Sequence, residues 1–197
     1  MKILRLIAAA LIAATPLTLA QADEKEDAAT AVATTLVNEA HAALTFDGPE
    51  AEKHKMLETA LEQAFDFDIW ERYLIDKDQQ KQFSPEQLEE FRALLPGFLA
   101  NLYAQQFGKG LEAKPVIKDA RPARNDVLVS ADIPRANGKN LPVDWRVRDF
   151  GGDKGDRVID VMVGGTSFLR LKRDEFKALL DREGPEGLLD YMRKNAV

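Results

Sequence analysis

The spacing of apolar residues changes midway along this chain, from about 3.6 to about 2, near Phe107-Gly108-Lys109-Gly110. Before that point apolar side chains recur at three- and four-residue intervals, the pattern of helices with one face turned to a core. Beyond it they alternate with polar ones, as in strands buried on a single side. Helices first and strands second, joined by short turns, predict an α+β architecture: a helical N-terminal half on one face of an antiparallel sheet of four to five strands, with short C-terminal helices.

The helical half divides at its breakers. Asp27 to Leu44 is Ala-rich, with Ala31, Leu36, Val37, Ala40 and Leu44 at helical positions, and Phe46-Asp47-Gly48-Pro49 ends it. A second helix runs from Glu50 to Ala64 through Met56, Leu57, Ala60, Leu61 and Ala64. Phe65-Asp66-Phe67-Asp68 opens a third, carrying Ile69, Trp70, Tyr73 and Leu74. The sharpest boundary is Ser84-Pro85-Glu86-Gln87. Serine caps, proline takes the first helical position, and Gln87 completes a capping box. The helix that follows sets Leu88, Phe91, Leu94, Leu95, Phe98, Leu102 and Tyr103 on one broad face, and Pro96 is expected to bend it.

Four strands are expected after the change of period. Val116 and Ile117 begin one that ends near Ala120-Arg121-Pro122, and Val127, Val129, Ala131 and Ile133 alternate in the next. Asn137-Gly138 is a strong hairpin signal. Val143, Trp145 and Val147 alternate with Asp144, Arg146 and Arg148 in a third strand, and Gly151-Gly152-Asp153 turns the chain. Ile159, Val161 and Val163 line one face of a fourth, and helices around Arg173–Arg182 and Pro185–Lys194 finish the chain.

Met1 to Ala22 reads as a secretory leader: Lys2 and Arg5, an apolar run from Leu6 to Leu19, and small residues in Ala20-Gln21-Ala22. The run falls short of the ~20 residues that cross a bilayer. Cleavage is expected before Asp23, leaving a single 175-residue domain from Asp23 to Val197. There is no cysteine, so lipid modification at the cut is excluded and the exported domain must hold together by burial alone. A periplasm suits that profile. Once Lys2 and Arg5 are removed, 25 basic residues face 33 acidic ones, a formal charge of −8. Such a surface repels phosphate backbones and anionic head groups, which argues against nucleic-acid binding and casual membrane adhesion.

A search for catalytic residues finds little. His41 and His54 lie on amphipathic helices without a second ligand at helical spacing, and no phosphate loop, dinucleotide fingerprint or nucleophile elbow is present. Asp144 and Asp160 sit on neighbouring strands. They read either as outward charge partners of Arg146, Arg148 and Arg157, or as an acid/base pair in a small cone-shaped enzyme. Arg146 and Arg148 are also candidates for holding an anionic head group.

Several of these stretches together resemble the MlaC family, also called the toluene-tolerance auxiliary family, of periplasmic phospholipid-binding proteins that serve outer-membrane lipid asymmetry. The resemblance runs from the first helix to Tyr191. It rests on Phe65-Asp66, Ser84-Pro85-Glu86-Gln87 with Phe91, Phe98 to Tyr103-Ala104, and Val143-Asp144-Trp145-Arg146. Its most specific part is Ile159-Asp160-Val161, Gly165, Ser167, Glu175-Phe176, Gly184 and Leu188-Leu189. Leu74-Ile75-Asp76-Lys77-Asp78 and Gly155-Asp156-Arg157 depart from the family's usual Leu-Gly-x-x-Trp-Arg and Gly-Trp-Lys.

The resemblance implies a nuclear-transport-factor-like sheet packed on helices, no enzyme activity, no cofactor, and a diacyl phospholipid as cargo. It implies exchange with an inner-membrane Mla ABC transporter complex carrying an MCE-domain ring, and with an outer-membrane lipoprotein–porin complex. A periplasmic lipoprotein chaperone is the other carrier of this kind. At ~0.8 kcal/mol per methylene, two chains of about 15 methylenes cost roughly 25 kcal/mol to hold in water. An apolar sleeve is therefore expected. Its walls would be Phe91, Leu95, Phe98, Leu102 and Tyr103 from the long helix, facing Trp145, Val147, Ile159, Val161, Val163 and Phe168 from the sheet side, with the head group left wet.

Overall fold

The computed structural model describes residues 17–108, 113–135 and 138–196. Met1–Pro16 of the leader, Lys109-Gly110 and Asn137 of the expected hairpin lie outside the described residues. Helix α1 (Leu17–Leu44) is followed by α2 (Glu50–Ala64), α3 (Phe67–Leu74), the single turn α4 (Lys77–Gln80) and α5 (Pro85–Tyr103), which runs into a π-helical turn at Ala104–Gly108. The strands are β1 (Val116–Ala123), β2 (Asp126–Pro134), β3 (Asn140–Asp149), β4 (Asp156–Val163) and the short β5 (Thr166–Ser167), and α6 (Phe168–Lys194) closes the chain. The sheet is an antiparallel meander in the order β1-β2-β3-β4-β5.

Its inner face is built by register. Val129, Trp145 and Val161 stand opposite one another across three strands, flanked by Ala131, Val143 and Val163 on one side and Val127, Val147 and Val158 on the other. Helix α1 lies across all four long strands. Its buried stripe is Ala29, Ala33, Leu36, Val37, Ala40 and Ala43, and the small alanines let its backbone approach the sheet closely. Ala31, expected on that stripe, is exposed, because the stripe runs one position off it. Helix α5 packs mainly on α2 and α6 rather than on the sheet. Phe91 and Phe98 meet Phe176 with ring centroids 6.1 and 5.5 Å apart, and Phe98 meets Tyr191 at 5.7 Å.

Local chemistry sets the helix ends. Ser84 and Gln87 form the expected capping box, with Gln87 N donating to Ser84 Oγ at 3.2 Å and Ser84 N donating to Gln87 Oε1 at 3.0 Å. Ser167 caps α6 by accepting from Arg170 N. That helix bends at Gly184, whose φ of 69° suits glycine alone, with Pro185 opening the next arm. The C-terminal helix thus starts five residues before the expected Arg173, because Ser167 supplies a cap that pattern alone does not reveal. Pro96 sits within α5, and the helix continues past it.

Asp66 joins the two halves of the molecule. Its side chain caps α3 by accepting from Ile69 N at 2.9 Å, and its amide donates to Val158 O at 3.0 Å beside an isolated parallel bridge between Phe65 and Val158. The free edge of β4 is covered in this way. Lys154 Nζ lies 2.7 Å from Asp66 Oδ2. Asp66→Ala should lower unfolding free energy in urea by about 1–2 kcal/mol through loss of the cap. Asp66→Asn, which still caps, should restore most of it; equal losses in both variants would contradict this role.

Candidate functional site

A narrow apolar slot opens where the helices meet the β4 end of the sheet. It is lined by Leu61 of α2, Phe65 before α3, Trp70 of α3, Leu99 and Tyr103 of α5, and Gln106 and Phe107 of the π-helical turn. Val161 and Val163 of β4 and Phe168 at the start of α6 complete the wall. The packing of each element explains its contribution. Trp70 is the buried anchor of an eight-residue helix and meets Phe65 in a tilted contact, ring centroids 5.5 Å apart. The π turn shifts the helical phase after Tyr103, so that Phe107 lies 4.4 Å from it, ring centroid to centroid.

The slot holds a cavity of only about 20 Å³. That is far below the ~300–1,000 Å³ of pockets that enclose drug-sized molecules. The slot is therefore closed down in this conformation, not the open sleeve expected. No charged side chain lines it among the described residues, and none of their His, Asp and Glu side chains group in threes that could hold a metal ion.

Residues 21–194 match the family described as MlaC protein. The chain belongs to the MlaC family. At the level of the family, this makes it a phospholipid-binding carrier of the Mla type, not an enzyme. The fold is similar to that of a solved phospholipid-binding protein from Ralstonia solanacearum in complex with a phospholipid, with a TM-score of 0.69 and 20% sequence identity over 85% of this chain and 96% of that one. No curated protein matches the sequence.

The wall residues expected from the sequence of this MlaC-family chain are distributed over four places. Tyr103, Val161, Val163 and Phe168 line the slot. Phe91 and Phe98 turn to α6, and Leu95 and Leu102 are buried in the same continuous core. Trp145 and Val147 are buried on the inner face of the sheet that α1 covers. Ile159 departs from the alternation expected for it. A β-bulge shifts the β3–β4 register between Arg146 and Val147, pairing Val147 with Val158. Val158 thereby takes the inner position, while Ile159 joins Ile69, Tyr73, Arg146, Arg148 and Leu169 around a separate groove.

Arg146 and Arg148 are at that groove and absent from the slot lining. Arg148 Nε donates to Asp126 Oδ1 at 2.7 Å, and Arg146 Nε lies 3.8 Å from Asp126 Oδ2. Both guanidinium groups are thus partnered by one buried carboxylate. Leu61, Phe65, Trp70, Leu99, Gln106 and Phe107 were not among the expected wall. The Phe65-Asp66 cap signal could have pointed to Phe65 and Trp70; the π turn that brings in Gln106 and Phe107 leaves no pattern in the sequence.

The two strand aspartates serve structure. Asp144 accepts a short hydrogen bond from Ser130 Oγ, and Arg121 stands 3.6 Å away. Asp160 accepts from Ser167 Oγ at 2.7 Å, Val161 N at 2.8 Å and Leu169 N at 3.2 Å, which ties β4 to the start of α6. Burial pushes the Asp160 carboxyl above its ordinary pKa, partly opposed by those hydrogen bonds. Charging it therefore costs more in the folded than in the unfolded chain. Its contribution to stability is largest below the ordinary carboxylate pKa and falls as pH rises through the raised one. Asp160→Asn lacks that fall, so its stability relative to the native protein should improve as pH rises above the ordinary carboxylate range. Denaturant titrations at rising pH check this, and a constant difference between the two proteins would contradict it.

Proposed function

We propose that this protein is a periplasmic carrier that shields the acyl chains of a diacyl phospholipid in the slot while the head group stays in water. The observation that carries the reading is an uncharged, mostly apolar slot at the junction of α2, α3, α5 and β4 in a chain of the MlaC family. A soluble carrier must offset the transfer cost of exposed methylenes, at ~0.8 kcal/mol each. Head-group binding need not contribute, which fits arginines that are paired elsewhere.

Two acyl chains exceed the present space, so loading must part the walls. The wall we expect to shift is α3, which is short and is tied to the sheet through Asp66 N to Val158 O and through Lys154 to Asp66 and Asp68. In this reading the leader is removed before Asp23. The resulting negative surface keeps the carrier off anionic bilayers. Loading and delivery then depend on docking to proteins: the inner-membrane Mla transporter complex with its MCE-domain ring and the outer-membrane lipoprotein–porin complex.

Organic extraction of protein purified without detergent, followed by mass spectrometry, tests the reading. Diacyl phospholipid is the expected cargo; an acylated polypeptide would point to a lipoprotein chaperone, and the absence of lipid would overturn the proposal. Val163→Asp should reduce co-purified lipid by about tenfold or more, since a carboxylate against an acyl chain forfeits several kcal/mol. Circular dichroism should show the fold retained. Undiminished lipid in that variant would remove Val163 from the wall.

A further inference from the structure

The slot has three polar groups among its ten lining residues: the Trp70 indole, the Tyr103 phenol and the Gln106 amide. Trp70 is 1% exposed, and its Nε1 has no hydrogen-bond partner among the described residues. An indole N–H can only donate, and a buried tryptophan normally finds an acceptor. Leaving such a donor without one is unfavourable. Tyr103 is buried as well, and burial raises its hydroxyl pKa, so the group stays protonated and able to donate. The described hydrogen bonds include none from the Tyr103 hydroxyl or the Gln106 side chain. Three residues of the wall thus carry donor groups beside a surface that is almost wholly apolar, and no charged side chain lines it among the described residues.

Among the parts of a glycerophospholipid, the chains have no acceptors and the phosphate calls for positive charge. The ester carbonyls between them are neutral acceptors that enter a dry site together with the first methylenes. We propose that Trp70 Nε1 donates to an ester carbonyl of the bound lipid, which makes the slot selective for ester-linked over ether-linked glycerolipids. The inference rests on the carrier reading above and adds the group by which cargo is recognised. An ether oxygen at the same place is a weaker acceptor and leaves the indole donor poorly satisfied. Gln106 and Tyr103 are positioned on the same wall to assist.

The test is a competition. Delipidated protein is offered equal amounts of dipalmitoyl phosphatidylglycerol and its dihexadecyl ether analogue, and bound lipid is quantified by mass spectrometry. The ester form should be favoured about tenfold, the range of one buried hydrogen bond made or lost. Trp70→Phe, which keeps a ring and removes the donor, should load lipid with a ratio near one. A ratio near one in the native protein, or an unchanged preference in Trp70→Phe, overturns the proposal and leaves the carrier reading intact. Failure of the native protein to load either lipid overturns both. Should Trp70→Phe not fold, the indole N–H resonances of the native protein decide. The Trp70 signal should move downfield with the ester lipid and less with the ether, and an equal response to both would refute the assignment.

Discussion

Covering the inner face of the sheet is the constraint from which the rest of this structure follows. Without a cysteine in the chain, nothing but burial holds that face to its cover. Val129, Trp145 and Val161 and their neighbours form a broad apolar surface, and the alanine stripe of α1 closes on it. At the β4 end the cover changes hands. There the wall is made by bulky side chains from α2, α3, α5 and the π turn, facing Val161 and Val163 of β4. The slot lies at this end, where the cover passes from α1 to several other elements.

Much of that arrangement is written in local pattern. The change of apolar spacing near Gly108, the Ser84–Gln87 capping box and the alternation of Val127, Val129, Ala131 and Ile133 all reappear as built. Other features depend on contacts between distant segments. Helix α5 buries Phe91, Phe98, Leu99 and Tyr103 on several sides, and its sequence does not say that Phe91 and Phe98 turn to α6 while Leu99 and Tyr103 turn to the slot. The bulge opposite Arg146 is equally silent in sequence, and it moves Ile159 to the other face. Helix α4 is too short to show a period, although Asp76 and Gln79 form a complete capping box around it.

The polar residues follow a consistent economy. Asp126, Asp144 and Asp160 each engage a neighbouring arginine, serine or backbone amide, so the charges on the strands lock the sheet together and leave no reactive pair. Arg193 similarly ties α6 to α5 through Glu90, with hydrogen bonds of 2.6 and 2.9 Å. Among the described residues two fully buried indole donors lack a hydrogen-bond partner, Trp70 Nε1 and Trp145 Nε1, and of the two only Trp70 belongs to the slot wall.

The central claim is that acyl chains occupy the space beside Trp70. The protein has two tryptophans, so a Trp145→Phe variant leaves Trp70 as the sole indole reporter. Loading it with a phospholipid brominated along its acyl chains should strongly quench the Trp70 emission, since bromine quenches on contact, while the unbrominated lipid should not. Bound brominated lipid with undiminished Trp70 emission would place the cargo elsewhere on the molecule and contradict the account.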